Sequence, residues 1–369
     1  MSIREEQPKK LGFGTMRLPV KADGSIDYEI YCQMVDCFLA KGFRYFDTAY
    51  PYHDGQSEIA LRECLIKRHD RSEFTVADKM PQWSLKEVED LERIFTEQLN
   101  KCGVDYFDYY LLHNMNKDTY AICQKVDGFA FLRKIKADGR AKHIGFSFHD
   151  TPELLDEILG LHPEVEFVQL QINYFDWESE SIQSRKCYEV AVKHNVEVVV
   201  MEPVKGGNLA NLKGKAAEML PHDGSQASYA IRFVATLPQV FMVLSGMSTP
   251  SQMEDNTSYM ENFIPLKEEE VSLLLEVAEE LKRVELIPCT DCRYCMENCP
   301  MGIPIPRIFR LMNKQKQFNT YADPKEPYQK ITEGKAKASE CLHCGVCEMH
   351  CPQHIEIRSL LEKAAEEFE

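Results

Sequence analysis

The chain has no long apolar run: nothing in it approaches the ~18 continuous apolar residues of a membrane-spanning helix, so no membrane association through a span is expected. Residues 1–10 are polar and charged, without the apolar centre of a secretory signal, and no signal peptide is expected. Clustered positive charge is also missing. The formal net charge of −16 argues against nucleic acid, whose phosphates need grouped Lys and Arg, and against an anionic membrane surface. No low-complexity tract occurs, and no Gly/Ser-rich linker sets one part of the chain loose from another. No G-x-G-x-x-G follows the first apolar segment, so the turn by which open doubly wound sheets hold dinucleotides is absent. What is present is an ordinary globular composition, 44% hydrophobic and 28% charged over 369 residues, enough for a sizeable core and two or three domains.

Between about residues 10 and 260, short apolar segments alternate with longer amphipathic ones. The strand candidates are Leu11–Met16, Phe43–Asp47, Phe74–Lys79, Tyr106–His113, His143–Ser147, Phe167–Gln171, Glu197–Glu202 and Val240–Gly246. Helix candidates lie near 28–41, 57–68, 84–102, 119–137, 151–160, 180–194, 225–236 and 249–260. Eight strands, each followed by a helix, is the period of a (β/α)8 TIM barrel. Ser84 with Glu87 three residues on reads as a capping box, and Thr151-Pro152 puts proline in a first helical turn. A further charged helix is expected over Lys267–Leu286, stopping at Pro288. The expected fold class is therefore α/β, a barrel over residues 1–284 followed by a smaller, mainly α-helical module over 285–369, docked on it.

That module carries eight of the fourteen cysteines in two matching runs. The first is Cys289-x-x-Cys292-x-x-Cys295-x-x-x-Cys299-Pro300, and the second is Cys341-x-x-Cys344-x-x-Cys347-x-x-x-Cys351-Pro352. Three closely spaced thiolates can wrap three corners of a cube, and the fourth corner needs a ligand from elsewhere. The spacing is that of two-cluster ferredoxins, in which the fourth cysteine of each run ligates the other cluster. We expect two [4Fe–4S] clusters, one on Cys289, Cys292, Cys295 and Cys351, the other on Cys341, Cys344, Cys347 and Cys299. Two four-cysteine zinc sites are the alternative, and the matched Cys-Pro endings disfavour them. A helix around Ile305–Lys316 makes the helical type of ferredoxin-type domain the expectation. The other six, Cys32, Cys37, Cys64, Cys102, Cys123 and Cys187, are scattered and read as small buried apolar residues in a reducing cytoplasm.

In a barrel, side chains at the C-terminal strand ends face the active site. Asp47, Lys79 and His113 end three successive strands, and Tyr52 follows Asp47 by five residues. Phe46-Asp47-Thr48-Ala49-x-x-Tyr52, then Gly55-x-Ser57-Glu58, Lys79 and Leu111-Leu112-His113-Asn114 resemble the aldo-keto reductases from about Leu11 to Asn256. The tail points to the subgroup with a C-terminal two-cluster domain. The resemblance implies a catalytic tetrad in which Tyr52 donates a proton to a carbonyl oxygen. Lys79 favours the phenolate, Asp47 holds Lys79, and His113 hydrogen-bonds the carbonyl oxygen. This chain differs in inserting His53-Asp54 before the glycine. Tyr50 is a substitute acid, and His53 reads either as a substrate-facing donor or as an exposed loop residue. Trp83 reads as packing on a neighbouring helix, with a roof over substrate as the alternative.

By the same resemblance, Ser147 and Gln169 hold a nicotinamide carboxamide, Met201 replaces a stacking tyrosine, and Ser245, Gln252 and Asn256 follow the adenosine-phosphate pattern. Phe148 stands where asparagine is usual, and Gln252 where an arginine clamps a 2′-phosphate, so NADPH and NADH are both expected candidates. Flavin stays open as a two-electron relay. The expected function is an iron–sulfur oxidoreductase that reduces a small-molecule carbonyl, or oxidises an alcohol, with NAD(P)H as hydride donor. Its clusters would pass single electrons, with a flavoprotein or ferredoxin as redox partner. The alternative is an electron-transfer subunit whose barrel is a docking scaffold without nicotinamide.

Overall fold

The computed structural model describes residues 3–289, 291, 293–297, 299–351 and 353–369. Eight parallel strands form its frame: β1 Leu11–Gly14, β2 Tyr45–Asp47, β3 Thr75–Pro81, β4 Phe107–Met115, β5 Ala141–Phe148, β6 Phe167–Gln171, β7 Glu197–Met201 and β8 Val240–Ser245. Each pairs with the next, and β8 pairs with β1, closing the barrel the alternation predicts. All four β1 residues and all seven of β3 are buried, as strands covered by helices on one side and a filled interior on the other must be. The interior is plugged by an aromatic layer: Tyr109 meets Tyr45, Phe167 and Phe241 at ring-centroid distances of 4.8, 5.6 and 6.0 Å. The barrel is a packed core with a working face at its C-terminal mouth.

Local departures have local causes. The helix expected from Ser84 starts later, as Glu89–Cys102, because Ser84 belongs to a single 3-10 turn, Gln82–Ser84. The carboxylate of Asp90 instead accepts the N–H groups of Lys86 and Glu87, at 2.9 and 3.2 Å. The helix expected over 119–137 is two helices, Lys117–Lys125 and Gly128–Ala137, broken where Asp127 takes φ +57. Gly128 cannot be larger there, since a Cβ on it would lie 2.7 Å from Cys123 Sγ. Thr151 caps Pro152–Leu161 as expected, accepting the Leu154 N–H.

The scattered cysteines need a correction. Cys102, Cys123 and Cys187 are buried, but Cys32 and Cys64 form a disulfide with Cα atoms 4.7 Å apart, and Cys37 is half-buried. The pair joins the helix Tyr28–Ala40 to the π-helical turn Arg62–Ile66.

The chain divides into two compact units, Met1–Gly206 with His222–Leu275, and Gly207–Pro221 with Glu276–Glu369. The second unit thus begins inside the helix Glu268–Lys282, before residue 285, and includes residues 207–221 from the β7–β8 connection. It is helical, with Ile305–Phe318, Lys325–Thr332 and Ile357–Phe368 packed around Ile308, Phe309, Tyr328, Leu361 and Phe368. No helix among the described residues is long and apolar enough to cross a membrane.

Candidate active site and cluster sites

Lys79 lies on β3 and is fully buried. A buried ammonium needs its protons matched. Its Nζ donates to Asp47 Oδ1 at 2.5 Å and to the Thr48 carbonyl at 2.7 Å, and lies 5.0 Å from the Tyr52 ring centroid. Its backbone is held too: Asp78 Oδ1 accepts its N–H at 2.8 Å, and Gln98 Nε2 donates to its carbonyl at 3.0 Å. The rings of Tyr52 and His113 meet edge to face at 6.2 Å. Asp47, Tyr52 and His113 line a cavity of about 470 Å3 at the barrel mouth, with Lys79 buried behind them. The structure therefore brings all four predicted residues together.

The electrostatics follow from burial and charge. Burial alone would lower the Lys79 ammonium, but Asp47 and Tyr52 outweigh it and the lysine stays charged. Burial raises Asp47 against the pull of Lys79. Burial also raises the Tyr52 phenol, and the nearby Lys79 only partly offsets it, so Tyr52 is a protonated acid at neutral pH. His113 is pushed well below the usual histidine range by burial, with the charge of Lys79 adding to it. A neutral imidazole has one N–H to give, and His113 Nδ1 is buried with no partner among the described residues.

The inserted residues make a left-handed turn: His53, Asp54 and Gly55 have φ +50, +53 and +80. Outside glycine such angles cost of order 1–3 kcal/mol per residue, so something must hold them. His53 is tied down by accepting the Leu18 N–H on Nε2 at 3.1 Å, and it lines the cavity rather than standing in an exposed loop. Two more bonds join the same segments, Thr15 Oγ1 to the Asp47 carbonyl at 2.9 Å and Thr15 Oγ1 to Ser57 Oγ at 2.7 Å. Tyr50 points elsewhere, its hydroxyl donating to Glu97 at 3.1 Å. Trp83, in a turn that lies against the helix Lys117–Lys125, is 46% exposed with its ring 5.1 Å from the His113 imidazole, so it borders the site.

Ser147, Gln169 and Met201 also line the cavity. Ser147 Oγ accepts the Asn114 N–H at 2.7 Å, leaving its hydroxyl proton to give. Gln169 Nε2 points at Met201 Sδ, 3.6 Å away, while its Oε1 is buried without a partner among the described residues. A free amide oxygen beside a free hydroxyl fits a carboxamide, which carries both a donor and an acceptor. Ser245, Gln252 and Asn256 are not on the cavity wall. Ser245 Oγ donates to Asn256 Oδ1 at 2.9 Å in the interior, and exposed Gln252 accepts the Ser248 N–H on Oε1 at 2.8 Å. Phe148 is buried. Three ionisable cavity residues escaped the sequence reading: Arg17, His149 and Glu202. Strand alternation could have found His149, two residues beyond Ser147.

In the second unit, Cys289, Cys295 and Cys351 line one small cavity with Ile305, Phe309, Ile355 and Ile357. Cys299, Cys341, Cys344 and Cys347 line another with Ile303, Ile305 and Leu361. Cys292 lies outside the described residues. Cys299 thus stands with the first three cysteines of the second run, and Cys351 with Cys289 and Cys295 of the first. Soft thiol donors in apolar surroundings fit iron–sulfur clusters.

Comparison with known proteins agrees with this architecture. Residues 288–356 match the model of the 4Fe-4S dicluster domain. An aldo-keto reductase of Mycobacterium sp. (strain KMS) is 25% identical over 224 residues, 59% of this chain and 74% of that protein. Morphine 6-dehydrogenase of Pseudomonas putida is 33% identical over 123 residues, 33% of this chain and 39% of its own. Among solved structures, an aldo-keto reductase from Klebsiella pneumoniae in complex with NADPH superposes with a TM-score of 0.60 at 18% identity, covering 73% of this chain and 90% of that one. The Aldo/keto reductase family model matches residues 10–279, well over half the chain, and this protein accordingly belongs to that family of oxidoreductases.

Proposed function

We propose that the barrel interconverts a small-molecule carbonyl and its alcohol with a nicotinamide cofactor, and that the second unit passes single electrons through two [4Fe–4S] clusters. The observation that carries this is the convergence of Asp47, Tyr52, Lys79 and His113 on one cavity. When bound, the nicotinamide supplies a hydride, two electrons at once, and the clusters supply electrons singly. In reduction, Tyr52 gives its phenol proton to the carbonyl oxygen as the alcohol forms. The charged Lys79, held by Asp47, stabilises the phenolate left behind until water reprotonates it. His113 donates a ring N–H to the same oxygen and stabilises the negative charge that builds there. Ser147 and the unpartnered Gln169 Oε1 would hold the carboxamide. The NADPH bound by the Klebsiella pneumoniae protein supports the nicotinamide.

The decisive experiment titrates the cluster-loaded full chain with NADPH and NADH, following nicotinamide fluorescence and bleaching of the cluster absorbance. Binding is expected, and bleaching would show that a two-electron relay such as a flavin joins the hydride donor to the one-electron clusters. Failure of both nucleotides to bind would sink the nicotinamide reading, and binding without bleaching would disconnect the clusters from it.

The pH dependence has a definite sign. Tyr52 acts in reduction as the protonated acid, and its phenol lies above the ordinary 10.0. The reduction kcat should stay level through neutral pH and fall only on the alkaline side, while alcohol oxidation, which needs the phenolate, should rise there. His113 lies well below the ordinary 6.5 and should add no inflection near that value. A reduction profile with a half-point near neutrality would contradict these assignments.

A further inference from the structure

Two buried carboxyls stand behind the tetrad and take no part in the proton transfer, Asp78 and Glu58. Asp78 precedes Lys79 on β3. Successive strand side chains point to opposite faces, so Lys79 enters the barrel while Asp78 turns outward to the helices. There it meets Glu58, from the short helix Ser57–Leu61 that follows the Tyr52 loop, and Cys102, at the end of the helix Glu89–Cys102. One carboxyl oxygen each of Asp78 and Glu58 and the Cys102 Sγ lie within 4.8 Å of one another.

With every acid ionised, the buried charges do not balance. The carboxyls are Asp47, Glu58 and Asp78, and the ammoniums are Lys79 and Lys101. Lys79 is bound by Asp47 and Lys101 by Glu58, which leaves Asp78 without an ion pair among the described residues. An unpaired carboxylate in such surroundings is strongly disfavoured and takes up a proton instead. The hydrogen bonds point the same way. Asp78 Oδ1 accepts the Lys79 N–H at 2.8 Å. Glu58 Oε2 takes Lys101, but Glu58 Oε1 is buried with no partner among the described residues. Two carboxylates can only accept, whereas a protonated one has an O–H to give. Burial, with Glu58 adding to it, holds Asp78 well above the ordinary carboxylate range. The other titratable neighbours bring no charge: burial also pushes up the Cys102 thiol and the Tyr110 phenol.

We propose that Asp78 is kept protonated and donates to Glu58 Oε1, and that this neutral acid is a positioning residue, holding the Lys79 peptide without drawing the Lys79 charge away from Tyr52. The pair links β3, through Asp78, to the segment that follows Tyr52, through Glu58. An ionised Asp78 would also reach the acid itself. Beyond burial, Lys79 and Asp47, its charge would raise the Tyr52 phenol and disfavour the phenolate left when the proton departs. The proton on Asp78 stands independently of the function proposed above; the positioning role rests on it.

The proton is read by infrared difference spectroscopy on the cluster-loaded full chain at neutral pH, where the C=O stretch of a protonated carboxyl lies clear of the carboxylate and amide bands. Subtracting Asp78→Asn from the unsubstituted protein should leave one such band, shifted in D2O. Asp78→Glu, which keeps the carboxyl, should move the band rather than remove it, and assigns it even where the amide variant fails to fold. No band in the unsubstituted protein, or a band that survives Asp78→Asn, overturns the proposal. The positioning role is read in carbonyl reduction. Asp78→Ala should lower kcat about ten- to a hundredfold with KM little changed, and Asp78→Asn, which keeps an acceptor and a neutral donor, should restore most of it. The alkaline limb of the Asp78→Asn profile should stay in place; its movement to lower pH would show that a negative charge had been removed and would overturn the protonated assignment. Full turnover in Asp78→Ala overturns the positioning role alone. Absence of carbonyl turnover in the unsubstituted protein overturns that role together with the function proposed above, and the infrared band still decides the proton.

Discussion

Tyr52→Phe should lower the kcat of carbonyl reduction by about a hundred- to ten-thousandfold, the range general acids contribute, while nicotinamide affinity stays within a factor of about two. The substitution removes one oxygen. It keeps the ring that lies 5.0 Å from Lys79 Nζ and edge-on to His113. A drop in kcat without a change in binding is the mark of a group that acts only in the transition state. Tyr50 cannot take over, because its hydroxyl is directed at Glu97. Turnover that survives Tyr52→Phe would remove Tyr52 from the acid role. The measurement should be made near neutral pH, where the upward-shifted phenol is fully protonated and the comparison is not blurred by titration.

The second large effect concerns the cluster ligands. Cys351 stands with Cys289 and Cys295 rather than with its own run, and Cys299 stands with Cys341, Cys344 and Cys347. Cys351→Ala should therefore destabilise the cluster of the first run. Paired substitutions make the crossing visible as iron content. Cys289→Ala with Cys351→Ala strikes one cluster and should leave about half of the iron, whereas Cys341→Ala with Cys351→Ala strikes both and should leave almost none. The reverse order of iron contents would show that each run keeps its own fourth cysteine.

The barrel was legible because its strands are short, buried on both faces and evenly spaced, which leaves few other ways to place residues 10–260. Asp47, Lys79 and His113 were legible for a related reason: once the strands are drawn, their ends are known. Most of the misses depend on contacts between segments distant in sequence. Cys32 and Cys64 are 32 residues apart, and nothing local announces their pairing. Ser84 has every local mark of a helix cap, yet Asp90 satisfies the N–H groups that a cap would serve. Trp83 meets the His113 ring on the next strand, a contact that no local pattern announces. Arg17 carries no motif at all, and only the closing of β8 against β1 brings Gly246 beside it. The cysteine spacing suggested the crossed grouping, and packing in the second unit brings Cys351 and Cys299 to the opposite runs.

The barrel wall is not equally strong all round. The pairs β7–β8, β8–β1, β1–β2 and β2–β3 each have three paired positions, against six between β4 and β5. What the short strands omit is made up above them by side chains, Thr15 to Asp47 and Ser57, and His53 to Leu18. The sector with the fewest ladder bonds has the lowest cost of local opening. Its ties support the turn Thr15–Arg17, the end of β2 at Asp47 and the loop bearing Tyr52. Loss of these ties would loosen the loop that carries the proton donor Tyr52.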